Sequence, residues 1–375
     1  MDDMEERRTS ERAVWSAVWV AVLTPLTRLL PGAAAGAAGA AGWLALPLAL
    51  PAAMALTALP DRIVRRDEEG LAPAVLRLLG RPGAAAVYTI YIMWAAVLVA
   101  ARFRLSGEYF LAAVGHRDRL WVTVLPAAAI AAWLAAKKGG ATVRAGALMA
   151  RVVGTGLIVW IALAAFRVRT ERLLPVRAED LPSVAKGAVL ALGLMCAGVY
   201  GTFFGWRPTR RRSAGGAIRW ASLILTQVCL FGGLGAELTA RAEDPFITLS
   251  RSVGVDGAIR RVESLAAAMG LLGDLVMAAL LLGASRRLLG MLRPSWGGGK
   301  SAAILAAAAA ALALTLFRQE QSARRFGLGA APVGNLILGL VVPVGLYLLE
   351  RGKRKGISCG EETARSADIV TRSGE

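Results

Sequence analysis

The stretch SAAILAAAAAALALTLF, Ser301 to Phe317, carries no charge and no polar stripe. A helix on a soluble domain keeps one polar face, so a run of this kind belongs in hydrocarbon. Similar runs recur along the chain. About ten have the roughly 18–25 residues that cross about 30 Å of bilayer core as a helix. They lie near 13–34, 40–59, 83–103, 119–136, 144–166, 185–205, 215–236, 264–285, 301–317 and 328–349. Inside lipid a helix satisfies its backbone groups within one segment, and no strand pattern is evident. The expected class is an all-α integral membrane protein of about ten transmembrane helices. Its hydrophobic fraction of 56% agrees.

The formal net charge of +18 would point to nucleic acid in a soluble protein. Here the basic residues fall mostly between apolar runs, where they meet lipid headgroups, so nucleic acid is not an expected partner. RIVRR (62–66), KK (137–138), RRR (210–212), RR (286–287) and RGKRK (351–355) share one side with the N-terminus. That bias places both termini in the cytoplasm. Residues 1–12 then form a cytoplasmic segment, 13–350 a permease domain, and 351–375 a basic, disordered tail. The mixed-charge start MDDMEERRTSER makes a poor signal peptide.

Enzyme chemistry finds no support. Three cysteines and the lone His116 give neither a zinc pattern nor a triad. GGGK (297–300) lacks P-loop spacing. No cofactor or metal is expected.

Helix breakers inside membrane helices need a reason. The first segment carries Thr24-Pro25-Leu26-Thr27, and the sixth carries Gly193, Gly198, Gly201 and Gly205 around Tyr200 and Thr202. Interruptions in segments one and six, five apart, are the pattern of a transporter-type site at the midplane. Alternatively, Pro25 kinks its helix and the glycines pack. Candidate ligand contacts are Thr24, Pro25, Thr27, Gly198, Tyr200 and Gly201. Asp274 lies near the middle of segment eight, where a bare charge is costly, and is a candidate for ion coupling or gating. Arg151 in segment five either snorkels to headgroups or pairs with Asp274. Arg28 and Glu237 sit nearer helix ends and can face solvent. Gln227, Thr226 and Asn335 read as interhelical links. Trp121, Trp133, Trp160, Trp206, Trp220 and Trp296 read as an interfacial belt. Residues 71–80 and FITLSRSV (246–253) read as short amphipathic helices at the interface.

Several stretches resemble the spore-germination permease family of the amino acid/polyamine/organocation transporter superfamily. They are Leu29-Leu30-Pro31 followed by Trp43; Leu173-Leu174-Pro175-Val176 before Lys186-Gly187-Ala188; Phe246, Thr248, Arg251, Arg261, Glu263 and Ser264 leading into segment eight; and Pro343 with Tyr347 before RGKRK. The resemblance implies two inverted five-helix repeats with broken helices 1 and 6, the leucine-transporter-type fold. It implies the membrane B subunit of a nutrient germinant receptor in the inner spore membrane. It also implies A-type and C-type partner subunits and a small nutrient ligand, often an amino acid. The chain departs from the family in helix six, where a Phe-Gly-Glu-like element gives way to Cys196-Ala197-Gly198, and in helix one, where Thr-Pro replaces glycine. Two other functions stay open: a proton-coupled transporter of amino acids or polyamines, and a non-binding structural subunit.

Overall fold

The computed structural model describes residues 9–55, 70–114, 119–137, 140–206, 214–253 and 262–352, and among these there is no strand. His116, Cys359 and the basic runs at 62–66 and 210–212 lie outside the described residues.

Helix α1 (Glu11–Arg28) begins where the Ser10 hydroxyl accepts the Ala13 N–H, with Glu11 favourable in the first turn. Pro25 sits inside it, yet the helix runs on to Arg28. The first span is interrupted at Leu29, and α2 (Leu30–Ala38) continues it. The interruption therefore falls four residues past the proline. At Gly39, φ is +55°, a conformation that costs glycine little. The chain folds back there through a 3-10 segment, Gly39–Leu44, into α3 (residues 45–55). A Cβ on Gly42 would stand 2.6 Å from the Ala34 carbonyl oxygen, so only glycine allows these spans to cross this closely.

Helix α4 (Leu71–Val114) is divided by Gly80 at φ +71°. Its first portion is a helix at the expected 71–80, but Leu71, Ala72, Ala74, Val75 and Leu78 are buried, so its apolar side meets the bundle and does not lie on an interface. Helices α5 (Trp121–Ala136) and α6 (Ala141–Ala165) follow. Then comes α7 (Leu181–Cys196), which tightens into a 3-10 segment, Ala197–Phe204. The sixth span thus changes helix type among its glycines, as the sequence pattern predicts. Next are α8 (Ala214–Leu234), α9 (Ala236–Arg241), α10 (Pro245–Ser252), α11 (Val262–Leu292) and α12 (Gly299–Thr315). The last span is built from α13 (Glu320–Leu328), α14 (Ala330–Leu336), a π turn at Ile337–Val341 and α15 (residues 342–352).

Among the described residues, seven stretches are long and apolar enough to cross a membrane. With the shorter apolar helices α5 and α12, and with α1, they account for the ten predicted segments. Large apolar side chains such as Ile158, Ile304 and Val341 are more than half exposed on the bundle's outside. A belt of that extent marks a surface made for lipid.

Two further expectations are corrected. Helix α10 does not lie on an interface: Pro245, Phe246, Ile247, Leu249 and Ser250 are buried, because the bundle covers the apolar side of its amphipathic pattern. Trp160 and Trp206 are not belt residues: both are fully buried, whereas Trp121, Trp133 and Trp296 are exposed. Trp160 instead stacks on Phe246 at 4.4 Å and donates to the Ser250 hydroxyl at 2.7 Å, fixing α10 to α6.

Candidate functional site

Three elements meet around a small cavity. Helix α1 contributes Val18, Ala21 and Val22; the sixth span contributes Ala197, Gly198, Tyr200 and Gly201; α11 contributes Met277, Leu280 and Leu281. Its free space is about 10 Å³, at the threshold for one water molecule. The glycines set this closeness. A Cβ on Gly198 or Gly201 would come within 2.7 or 2.5 Å of a Val18 methyl. Pro25 has no N–H to give the Ala21 carbonyl, and Ala21 lines the cavity.

Aromatic contacts extend from the cavity's Tyr200. The Tyr200 hydroxyl donates to the Tyr91 carbonyl at 2.8 Å, and the Tyr91 hydroxyl donates to the Leu338 carbonyl at 2.5 Å, within the π turn. The Tyr91 ring meets Tyr200 and Phe203 edge-on. Near the start of α1, Trp15 and Trp206 meet edge-on at 5.8 Å between ring centres.

Beneath α10 lies a buried charge cluster. Arg28 Nε stands 3.1 Å from Asp244 Oδ2, and Arg28 Nη1 stands 3.9 Å from Asp274 Oδ2. All three side chains are nine-tenths or more buried. The guanidinium also lies over the Tyr109 ring, 4.6 Å from its centre. Arg102 on α4 is buried as well and feels the charges of Asp274 and Arg28. The hydroxyls of Ser106 and Thr24 flank the Asp274 carboxylate, while Thr24 also bonds the Gly270 carbonyl at 3.3 Å. A Cβ on Gly270 would meet the guanidinium, so a larger residue there would displace the end of the Arg28 side chain. Close by, Gln227 Nε2 donates to the Leu26 carbonyl at 2.6 Å, which serves a backbone group near the interruption of the first span.

The structure divides the predicted residues into two groups. Gly198, Tyr200 and Gly201 line the cavity. Thr24 and Asp274 belong to the charge cluster, and the Thr27 hydroxyl bonds back to the Leu23 carbonyl at 3.0 Å in its own helix. Pro25 is buried in α1 between the two. Arg151 joins neither. It is exposed on α6, as the snorkelling alternative has it, and Asp274 has Arg28 and Arg102 as its charged neighbours, so the alternative Arg151–Asp274 pair does not form. Glu237 faces solvent as expected, beside Arg241. Arg28, however, is 2% exposed, because α10 folds over the helix end. The sequence reading missed Arg102 and Asp244. Arg102 sits where segment three appeared to end, and Asp244 lies in what read as a loop. Asn335 accepts from Trp94 at 3.0 Å, an interhelical link as anticipated.

A helical bundle whose first and sixth spans change course beside a small cavity lined by mostly buried residues has the form of a transporter-type membrane protein. The structure is similar to that of MhsT, solved in complex with L-phenylalanine. The TM-score is 0.64 at 15% identity, over 88% of this chain and 89% of that one, so the likeness is one of fold. A comparison with curated proteins gives no match. The family model described as spore germination protein matches residues 14–289. The chain belongs to the spore germination permease family.

Proposed function

We propose that this chain is the permease-like B subunit of a spore nutrient germinant receptor. It sits in the inner spore membrane with both termini cytoplasmic, and α10 then lies on the external face. Residues 13–350 form the permease domain, and 1–12 and 351–375 flank it in the cytoplasm. A small nutrient, an amino acid among the candidates, binds at the midplane and helps trigger germination together with A-type and C-type subunits. The observation that carries this reading is the cavity where α1, the 3-10 segment of the sixth span and α11 cross, in a chain matched to the family from residue 14 to 289. That MhsT was solved with an amino acid supports the class of ligand.

The small size of the cavity supports a mechanism with a conformational step. With room for about one water, a nutrient enters only when α1 and the sixth span separate. Binding therefore favours a wider conformation, by no more than its differential affinity for the two states. The buried Asp274 keeps proton-coupled transport in view as the second reading. Thermal-shift screening of the purified protein against amino acids, sugars and nucleosides tests the proposal, since a ligand of the folded state raises its stability. Saturable binding without uptake in proteoliposomes supports the receptor. Uptake lost in Asp274→Asn replaces it with the transporter. No binding by any nutrient leaves a structural subunit.

A further inference from the structure

The ends of α5, α11 and α12 bring together two segments rich in basic residues and free of carboxylates. Residues 133–144 and 286–300 hold seven Lys and Arg residues and no Asp or Glu. Elsewhere Arg104, Arg241, Arg251 and Arg324 each pair with a glutamate. Backbone contacts draw the two basic segments together. Arg286 donates to the Gly297 carbonyl at 2.9 Å and to the Lys137 carbonyl at 3.1 Å, so one guanidinium joins the end of α5 to the turn before α12. A Cβ on Gly299 would stand 3.4 Å from the Ala136 methyl. Lys137 and Lys300, each one residue from that contact, are both exposed.

The tryptophans here fix the depth. Trp133 and Trp296 are 60% and 47% exposed, at helix ends where tryptophan marks the boundary between hydrocarbon and headgroups. Lys137 Nζ lies 4.4 Å from the centre of the Trp133 ring, and the Arg293 guanidinium lies 5.3 Å from that of Trp296. The face of an aromatic ring attracts a cation, and these contacts hold both charges at headgroup level. Toward the bilayer, Ile130 and Ile304 are exposed, a turn along the helix from Trp133 and Lys300 and so on the same faces. The surface therefore offers cations at one level and apolar side chains at the next. A soluble anion would use only the first. A phospholipid with a net negative headgroup matches both, and basic pockets between membrane helices bind such headgroups.

We propose that the ends of α5, α11 and α12 form a binding site for an anionic phospholipid. Lys137 and Lys300 take the headgroup phosphate, Arg293 flanks it, and the acyl chains lie along Ile130 and Ile304. Arg286 is a positioning residue, since its guanidinium is engaged with the two backbone carbonyls. The next residue, Arg287, donates to the Phe204 carbonyl at 3.0 Å, where the 3-10 segment of the sixth span ends. The lipid site thus adjoins an anchor of the span that lines the cavity, but it is independent of nutrient binding.

The test is lipid retention by the full-length protein purified in detergent micelles, read by native mass spectrometry. The probes are dioleoylphosphatidylglycerol, dioleoylphosphatidylcholine and inorganic phosphate. Phosphatidylglycerol is expected to bind saturably, and phosphatidylcholine about tenfold or more weaker. The double variant Lys137→Gln/Lys300→Gln should weaken phosphatidylglycerol binding by about tenfold or more, and Lys300→Gln alone by about fivefold, as headgroup attractions are lost. Both lysines are exposed, so the fold should hold. Arg167→Gln/Arg169→Gln removes the same charge from exposed positions beyond the far end of α6 and should leave binding unchanged. Four results overturn the inference: phosphatidylcholine retained as tightly as phosphatidylglycerol, which marks general lipid adhesion; equal losses in the two double variants, which mark net charge alone; binding unchanged in both lysine variants; or inorganic phosphate displacing the lipid at comparable concentration, which marks a site for a free anion. None of these results touches the nutrient-binding reading.

Discussion

Replacing Arg28 with glutamine strands two buried carboxylates, and the geometry ranks the consequences. At an effective dielectric near 20, charges 3.1 Å apart attract by about 5 kcal/mol and charges 3.9 Å apart by about 4 kcal/mol, before desolvation is counted. Breaking a buried pair by removing one partner costs about 3–5 kcal/mol, and Arg28→Gln should fall in that range. Double-mutant cycles separate the two contacts. Arg28 with Asp244 should couple by about 2–3 kcal/mol, within the range for residues in one network. Arg28 with Asp274 should couple less, for two reasons: the contact is longer, and Arg102 still faces Asp274 when Arg28 is gone. The measurement is reversible unfolding of wild type, single and double variants in mixed detergent micelles. Additivity within about 0.5 kcal/mol for both cycles, or the reverse ranking, would refute the ion-pair reasoning.

Arg151→Gln should change stability by no more than about 0.5 kcal/mol, as for other exposed positions, and should show no coupling to Asp274 in the same assay. Gly201→Val should destabilise by about 1–3 kcal/mol through overpacking against Val18, and should abolish nutrient binding at the midplane, read by calorimetry. Trp160→Phe keeps the stack on Phe246 but loses the bond to Ser250. Its expected cost is about 0.5–1.5 kcal/mol, with faster amide exchange in α10; unchanged exchange there would show that α10 is held by other contacts.

The membrane architecture was legible because it depends on length and apolarity, which are local properties of each run. Segments three to ten fall within a few residues of their predicted places, apart from longer ends such as the extension of α4 and the turns that α13 adds before the last segment. The change of helix type in the sixth span was legible from its glycines; Pro25 pointed to the right span but not the place, since the helix runs through it to Arg28. Partner choice was not. Asp274 stood out as a buried carboxylate, yet sequence offers Arg28, Arg102 and Arg151 on equal terms. The choice is made by which helix face each occupies and by the fold of α10 over Arg28. The pattern FITLSRSV marks an amphipathic helix, but amphipathicity does not say whether the apolar face meets lipid or protein. Trp160 was misplaced for the same reason, since a tryptophan near a helix end suits a belt or a buried anchor equally.

The cavity and the charge cluster share their supports. The cavity takes Val18, Ala21 and Val22 from α1, and the charge cluster takes Thr24 and Arg28 from the next turns of that helix. On α11, Met277 lines the cavity three residues after Asp274 joins the cluster. Neither can widen without moving the helices that form the other. A ligand that binds in the cavity and prefers separated helices therefore also loosens the cluster, by no more than its differential affinity for the two states. Arg28 is the point where this coupling reaches the surface, because its carboxylate partner Asp244 also caps the start of α10, accepting the Ile247 N–H at 3.1 Å. Separating α1 from α11 thus strains both the ion pair and the helix cap, and α10 is the first element expected to respond. If occupancy of the cavity left amide exchange in α10 unchanged, the shared-helix argument would fail even with cavity and cluster intact.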